Sequence, residues 1–246
     1  MEIIKVISLL LDYPERQLMD ARVELDDAIG QCLFISPQQR QALRDLLQHI
    51  AGQELLDAQS LYLSLFNRGR HLSLLMFEHV HGESRDRGQA MVDLLAEYEQ
   101  AGFAIAAKEL PDYIPLYLEY LASRDQLTAR TGLADIQHLL ALLGARLEES
   151  ESPYAACFHA LLQLAGVDPA EQIGQAREKV AEDPVDDSLE ALDAEWEEEA
   201  VTFMQGDGQA SCGLSSPAGN FRAREEVAVP VHWVDFTDAS NAAGKF

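Results

Sequence analysis

The chain has 246 residues, 48% of them hydrophobic, and carries a formal net charge of −24 from 42 acids against 18 lysines and arginines. That hydrophobic share belongs to a folded domain and excludes general disorder. The acidic balance opposes binding to nucleic-acid phosphates or anionic lipid headgroups, and suits a basic partner.

The three cysteines, Cys32, Cys157 and Cys212, form no CxxC pair. A disulfide framework or a structural zinc site is therefore not expected. Cys32 and Cys157 fall within apolar helical patterns and read as buried thiols, whereas Cys212 lies in a Gly/Ser-rich stretch and reads as exposed. The apolar run Ile3–Leu11 is interrupted by Lys5 and Ser8. It is too short to span a bilayer and lacks the flanks of a signal peptide. The expectation is a soluble, cytoplasmic protein with no integral membrane segment.

In chain order, Ile3, Val6, Ile7 and Leu10 have helical spacing, ended by Pro14. Leu18, Ala21, Leu25, Ala28 and Ile29 mark a second helix, closed by Gly30. Ser36-Pro37-Gln38-Gln39 has the form of a capping box, opening a helix whose apolar face is Leu43, Leu46, Leu47 and Ile50, with Gly52 as its stop. The central stretch, Leu61 to Gly102, carries three apolar sets: Leu61, Tyr62, Leu65 and Phe66; Leu72, Leu75, Met76 and Val80; Met91, Leu94, Leu95 and Tyr98. Arg68, Arg70, His71, Glu78, His79, His81, Glu83, Arg85, Asp86 and Arg87 are interleaved with them.

Farther on, Asp112 is the expected cap of a helix with Pro115 in its first turn. Leu133, Ile136, Leu140, Leu143 and Leu147 form one helix of about four turns. Ser152-Pro153 opens the next, with Tyr154, Phe158, Leu161 and Ala165 inward. Asp168-Pro169 opens another. A final helix carries Leu189, Leu192, Trp196, Ala200 and Phe203 on one stripe, within a run from Val180 to Phe221 that holds no lysine or arginine. Residues 206–220 read as a flexible linker. Val227 to Phe236 partly alternates, but Pro230 weakens a strand there. The expected architecture is all-α: about ten helices in a single bundle-like domain over residues 1–204, followed by a largely disordered, flexible C-terminal tail over residues 205–246.

Enzymatic motifs are missing. Glu78, His79, His81 and Glu83, with His71 nearby, are candidate metal ligands, yet His79 and His81 point roughly 200° apart around a helix and no HExxH is present. Ser84 reads as a helix cap rather than a nucleophile. No GxSxG, Walker A loop or GxGxxG occurs. Two binding readings survive. Arg68, Arg70, Arg85 and Arg87 could hold a phosphate or carboxylate, or pair internally with Glu78, Glu83 and Asp86. The acidic run could be a solvated face, or an electrostatic guide for a cationic peptide.

Several of these segments resemble a known family. Phe66-Asn67-Arg68-Gly69-Arg70 and the run from Leu74 to Met91 (LLMFEHVHGESRDRGQAM) are similar to the signature of the delta-subunit family of nitrate reductase assembly chaperones, part of the wider group of redox-enzyme maturation chaperones. Leu10–Pro14, Glu109–Leu121 and Ala191–Glu199 add to the likeness, which covers residues 1–204. The resemblance implies an all-helical chaperone, not an enzyme. It implies a client, the catalytic (alpha) subunit of nitrate reductase, bound through its amphipathic and basic N-terminal peptide. The apo-subunit would be kept competent for insertion of the molybdenum cofactor, bis-molybdopterin guanine dinucleotide, before membrane attachment. No cofactor would be bound stably by the chaperone itself, and cofactor-biosynthesis proteins are further possible partners. In other branches of the family the segment equivalent to Glu109–Pro115 lies near the client site, and Tyr113 stands where some relatives carry histidine.

On this reading a groove between the central stretch and the Pro111–Leu121 helix receives the client. Candidate client-binding residues are Arg68, Arg70, Phe77, Glu78, His79, Glu83, Arg85, Arg87, Pro111, Asp112, Pro115, Tyr117 and Leu121, with Phe77, Tyr117 and Leu121 as apolar anchors. Catalytic and metal residues are expected to be absent. The alternatives are a carrier that holds the anionic cofactor on the arginine cluster, and a metal enzyme built on His71, His79 and His81.

Overall fold

A computed structural model describes residues 1–81, 85–105 and 109–182. Among them are twelve α-helices, one 3-10 turn and no strand. The helices are α1 (Glu2–Leu11), α2 (Arg16–Asp20), α3 (Arg22–Gln31), α4 (Pro37–Ala51), α5 (Leu55–Phe66), α6 (Met76–His81), α7 (Arg85–Gln100), α8 (Ile114–Ala122), α9 (Gln126–Asp135), α10 (Gln137–Glu149), α11 (Ala155–Ala165) and α12 (Pro169–Glu182). The all-α expectation holds. The expected final helix, Cys212, the tail over residues 205–246 and the boundary at residue 204 lie outside the described residues.

Two helices form the axis of the fold. In α1, Ile3, Ile4, Val6, Ile7, Leu10 and Leu11 are all buried. In α8, Ile114, Leu116, Tyr117, Leu118, Tyr120 and Leu121 are too. A helix apolar on nearly every side must be enclosed by others, and α1 packs most extensively against α8. The one polar side chain buried on α1, Ser8, donates its hydroxyl to the Pro115 carbonyl at 2.7 Å, as a buried hydroxyl must find a partner. Beside this axis α10 is sandwiched between α11 and α12. A β-carbon at Gly144 would lie 3.2 Å from Ile173 and 3.3 Å from Phe158, so glycine sets how closely those three helices approach.

Capping follows the sequence in part. Ser36 accepts from the Gln39 N–H at 3.1 Å, but the Gln39 side chain donates to the Ala156 carbonyl of α11 instead of closing the box. Gln163 of α11 takes its place, accepting from the Ser36 N–H at 2.9 Å. The N-terminus of α4 is thereby tied to α11 from both sides.

Several expected boundaries change. The second helix is broken at Ala21 (φ −84°, ψ 10°) into α2 and α3. Gly30 is not its stop: α3 runs on through Gln31. A β-carbon at Gly30 would collide with the Arg44 guanidinium, which pairs with Asp26 at 3.1 Å. The expected four-turn helix through Ile136 is likewise kinked at that residue (φ −101°, ψ 11°). Its leading part, α9, starts at an Asp125 cap that accepts from the N–H groups of Leu127 and Thr128. Apolar periodicity runs straight through one-residue kinks, so the spacing alone does not register them. Cys32 and Cys157 are buried and unpaired, as expected.

Candidate functional site

The central stretch folds as three helical pieces and a turn. After α5, a 3-10 turn spans Arg70–Leu72, and the chain runs extended into α6. Leu72, Leu74 and Met76 are buried, while Val80 is 65% exposed. The expected apolar face Leu72–Leu75–Met76–Val80 is therefore not one face, because its members lie on a turn, a bridge and a separate helix.

Asp112 explains how α6 is held. It is not the cap of α8, where Tyr113 occupies the N-cap position. Leu75 and Tyr113 instead form a two-residue antiparallel bridge. The Met76 N–H donates to the Asp112 carbonyl at 2.9 Å, and the Ile114 N–H to the Leu74 carbonyl at 2.8 Å. The Asp112 carboxylate then accepts from the Phe77 N–H at 3.2 Å. Asp112 thus caps the first turn of α6 from a distant point in the chain. It has no solvent exposure. Burial pushes its carboxyl above the usual aspartate value, against the opposing pull of the Phe77 N–H and the Arg87 charge.

The polar residues around this clamp are mostly spoken for. Arg87 donates to Glu78 at 3.2 Å, with both side chains largely buried; the internal pairing weighed from the sequence holds for this pair. The Ser73 carbonyl lies 2.8 Å from His79 Nε2, so the neutral ring carries its proton on Nε2 and donates it. Burial holds the His79 imidazole below the ordinary histidine value. Arg146 donates to the His71 carbonyl at 2.6 Å. Arg68 and Arg70 are exposed in the connection after α5. Glu83, Ser84 and the side chains of His81 and Arg85 lie outside the described residues. Among the described residues no group of three His, Cys, Asp or Glu side chains could hold a metal ion.

The α8 side of the expected groove is closed. Pro111 and Pro115 are buried, Tyr117 is 7% exposed and Leu121 1%. Two of the three expected anchors thus have no surface to offer, and Phe77 is half-buried. Tyr117 and Leu121 pack on Gly132 of α9, whose carbonyl accepts from the Tyr117 hydroxyl at 3.3 Å, and α7 covers the start of α8. Tyr98, fully buried, donates its hydroxyl to the Pro111 carbonyl at 2.8 Å and stacks with Phe103 and Tyr120. Tyr120 donates to Glu97 at 2.9 Å. An aromatic seal between α7 and α8 occupies the face that the sequence had suggested for a client.

An opening lies on the other side of α6. A cleft of about 280 Å³ is walled by His79 and Val80 of α6, by α10 and by α12. Buried Leu139, Ala141 and Ala176 form its apolar floor, beside half-buried Leu142. Its rim holds exposed His138, Gln175 and Lys179. Among the described residues, none of the ten that line it is acidic, although acids outnumber lysines and arginines 42 to 18 in the chain. Of the sequence candidates among the described residues, only His79 lines it. The contributions of α10 and α12 were missed because their lining residues share faces with ordinary core positions.

Among the described residues the body is all-helical, with α6 clamped by a buried Asp112 beside an open apolar cleft. A family model for the nitrate reductase delta subunit matches residues 35–160. The chain is 49% identical over 211 residues, 86% of its length, to the nitrate reductase molybdenum cofactor assembly chaperone NarJ of Escherichia coli, covering 87% of that protein. It is 44% identical over 237 residues to the probable assembly chaperone NarW of the same organism, covering 96% of this chain and 98% of the relative. To the probable NarJ of Bacillus subtilis it is 33% identical over 159 residues, covering 63% and 84% of the two chains. The chain belongs to the nitrate reductase delta subunit family.

Proposed function

We propose that this protein is an assembly chaperone for nitrate reductase, acting by binding rather than by catalysis. Its client is the catalytic alpha subunit. A helical segment from that subunit's N-terminus lays its apolar face into the cleft between α6, α10 and α12, and the apo-subunit stays open for molybdenum cofactor insertion before membrane attachment. Among the described residues no helix is long and apolar enough to cross a membrane, which fits a partner that acts ahead of attachment in the cytoplasm.

The observation that carries this reading is Val80, a large apolar residue left 65% exposed at the edge of an apolar cleft. A cleft of about 280 Å³ takes two or three side chains of an amphipathic helix. Each buried anchor contributes roughly 1.5–3 kcal/mol before association costs. Micromolar binding needs about 8 kcal/mol, so two or three anchors and the long-range attraction of a net charge of −24 for a basic peptide are together sufficient. The same volume is too small for a bis-molybdopterin guanine dinucleotide. Arg87 is committed to Glu78, and among the described residues the cleft offers one lysine and no arginine. The cofactor is read here as cargo for the client, not as a ligand of this site.

Calorimetric titration with the alpha-subunit N-terminal peptide tests the reading. Micromolar binding that weakens with salt is expected, and Val80→Asp should reduce affinity at least tenfold. Leu127→Asp, at a 76% exposed position on α9 outside the cleft, should leave it unchanged. Absence of binding, or equal loss in both variants, would remove the cleft from the client's path.

A further inference from the structure

We infer that the outer face of α5 is a self-association surface, on which a second copy of this chain packs its own α5 antiparallel. The inference is independent of the client reading: among the described residues, none from α5 lines the cleft between α6, α10 and α12.

Helix α5 is apolar on two sides. Its inner side holds Ala58, Tyr62 and Phe66, all buried, with Tyr62 and Phe66 packed on each other and on Tyr154. Its outer side carries Leu56 at 77% exposure and Leu63 at 44%. A single exposed leucine is ordinary. These two stand at i and i+7 on one helix face, about 10 Å apart along the axis, with exposed Ser60 between them. Tyr13, also exposed, extends the patch. Its ring meets Tyr62 edge-on at 5.7 Å, and the Gln59 side chain donates to the neighbouring Pro14 carbonyl at 2.8 Å.

The face is complementary to itself. The midpoint of Leu56 and Leu63 falls between Gln59 and Ser60. A two-fold axis through that point sets Leu56 of each copy against Leu63 of the other. It also sets Ser60 beside Ser60, where a small side chain lets the helices approach.

Charge selects the same occupant. Exposed Glu54 and Asp57 lie at the N-terminal end of α5, and exposed Arg68 lies just past its C-cap, Asn67. Antiparallel packing brings the arginine of each copy to the acids of the other and opposes the two helix dipoles. Parallel packing would set like charges together. A uniformly basic helix satisfies the acids but meets Arg68 with like charge, whereas a second copy answers both ends.

Two chains of net charge −24 repel each other, and the patch is smaller than a permanent interface. The dimer is therefore weak, with a Kd on the order of tens of micromolar. Added salt screens the long-range repulsion, so self-association strengthens with ionic strength. That sign is opposite to the one expected for binding of a basic peptide.

Sedimentation equilibrium of the full-length protein tests the surface. The weight-average mass should rise from 27.3 kDa toward twice that value with concentration, and more steeply at high salt. Leu56→Ser combined with Leu63→Ser alters only exposed side chains. It should leave the circular dichroism unchanged and weaken association at least tenfold. Leu127→Ser, at a 76% exposed leucine on α9, should associate like the wild type. A wild-type protein that stays monomeric up to several times the expected Kd, or a double variant that associates like the wild type, overturns the inference.

The antiparallel register is read by cross-linking in a Cys212→Ser background, where the two remaining cysteines, Cys32 and Cys157, are buried. Ser60→Cys, next to the axis, should form an intermolecular disulfide under mild oxidation. Ser64→Cys, one turn farther from the axis, should do so at least tenfold more slowly. Equal rates at the two positions, or no cross-link at Ser60→Cys under conditions where the protein is dimeric, refute the antiparallel α5 contact.

Discussion

The two ends of α6 are built oppositely. At its N-terminus every feature is closed: the Leu75–Tyr113 bridge, the Asp112 cap on Phe77 and the Tyr98 hydroxyl on the Pro111 carbonyl. At its C-terminal half Val80 stands 65% exposed beside an open cleft. A six-residue helix is too short to persist by itself. Its presentation of His79 and Val80 to the cleft depends on what grips the other end. Rigidity and recognition are separated by about one helical turn, so substitutions at the two ends should differ in kind as well as in size.

The largest effect is expected from breaking the closed end. Tyr98 is fully buried, packed against Phe103 and Tyr120, and is the hydroxyl partner of Pro111. Tyr98→Ala removes that volume from the junction of α7 and α8 and should cost about 3–5 kcal/mol in urea denaturation. Asp112→Ala leaves the first turn of α6 without its distant cap and should cost about 1–3 kcal/mol. Asp112→Asn provides the sharper contrast. The fold favours the neutral carboxyl, since burial raises its pKa. Its stabilising contribution is therefore full below the unfolded value and shrinks as pH rises through the folded one. Asparagine retains an oxygen for the Phe77 N–H and discards the charge, so it should cost clearly less than alanine at neutral pH. Equal losses in the two variants would mean that the carboxylate charge, not the hydrogen-bond acceptor, holds α6.

The closed end was more legible in the sequence than the open one, though with its roles misassigned. The motif around Asp112 stands out in the sequence. But a capping residue was assigned to the helix that follows it, because a cap acting across 35 residues leaves no local signature. Tyr117 and Leu121 read as anchors in the sequence because a helix rich in aromatic and leucine residues has the same composition whether it lines a groove or fills a core. Their burial is decided by Gly132 arriving from α9, with Tyr98 and Phe103 from α7 and its following loop packing on Tyr120 beside them. Helices α1, α4, α11 and α12 were legible from apolar spacing with proline or cap signals, which are local. The cleft was not, because it needs three helices distant in sequence, and Leu139, Leu142 and Ala176 are spaced like any core residues. His79 was found for its polarity on an apolar helix, and its neighbour Val80 was hidden by its apparent membership of a buried stripe.

The smallest effect concerns His79, which lies between the two ends. Its ring donates to the Ser73 carbonyl at 2.8 Å, and burial lowers its pKa from the ordinary 6.5. With the folded value below the unfolded one, the unfolded chain takes up a proton that the fold resists. Stability should therefore decline as pH falls through 6.5 toward the folded value, and flatten below it. Carboxylates elsewhere in the chain titrate at lower pH, so the informative quantity is the difference between the wild-type protein and His79→Gln. Glutamine can donate to Ser73 without titrating, and should make the decline between pH 7 and the folded value shallower while leaving neutral-pH stability within about 0.5 kcal/mol. Parallel stability–pH curves would show that His79 is not held neutral. The middle of α6 would then be more open to water than its tightly bridged N-terminus, and the change from closed to open would begin one residue before Val80.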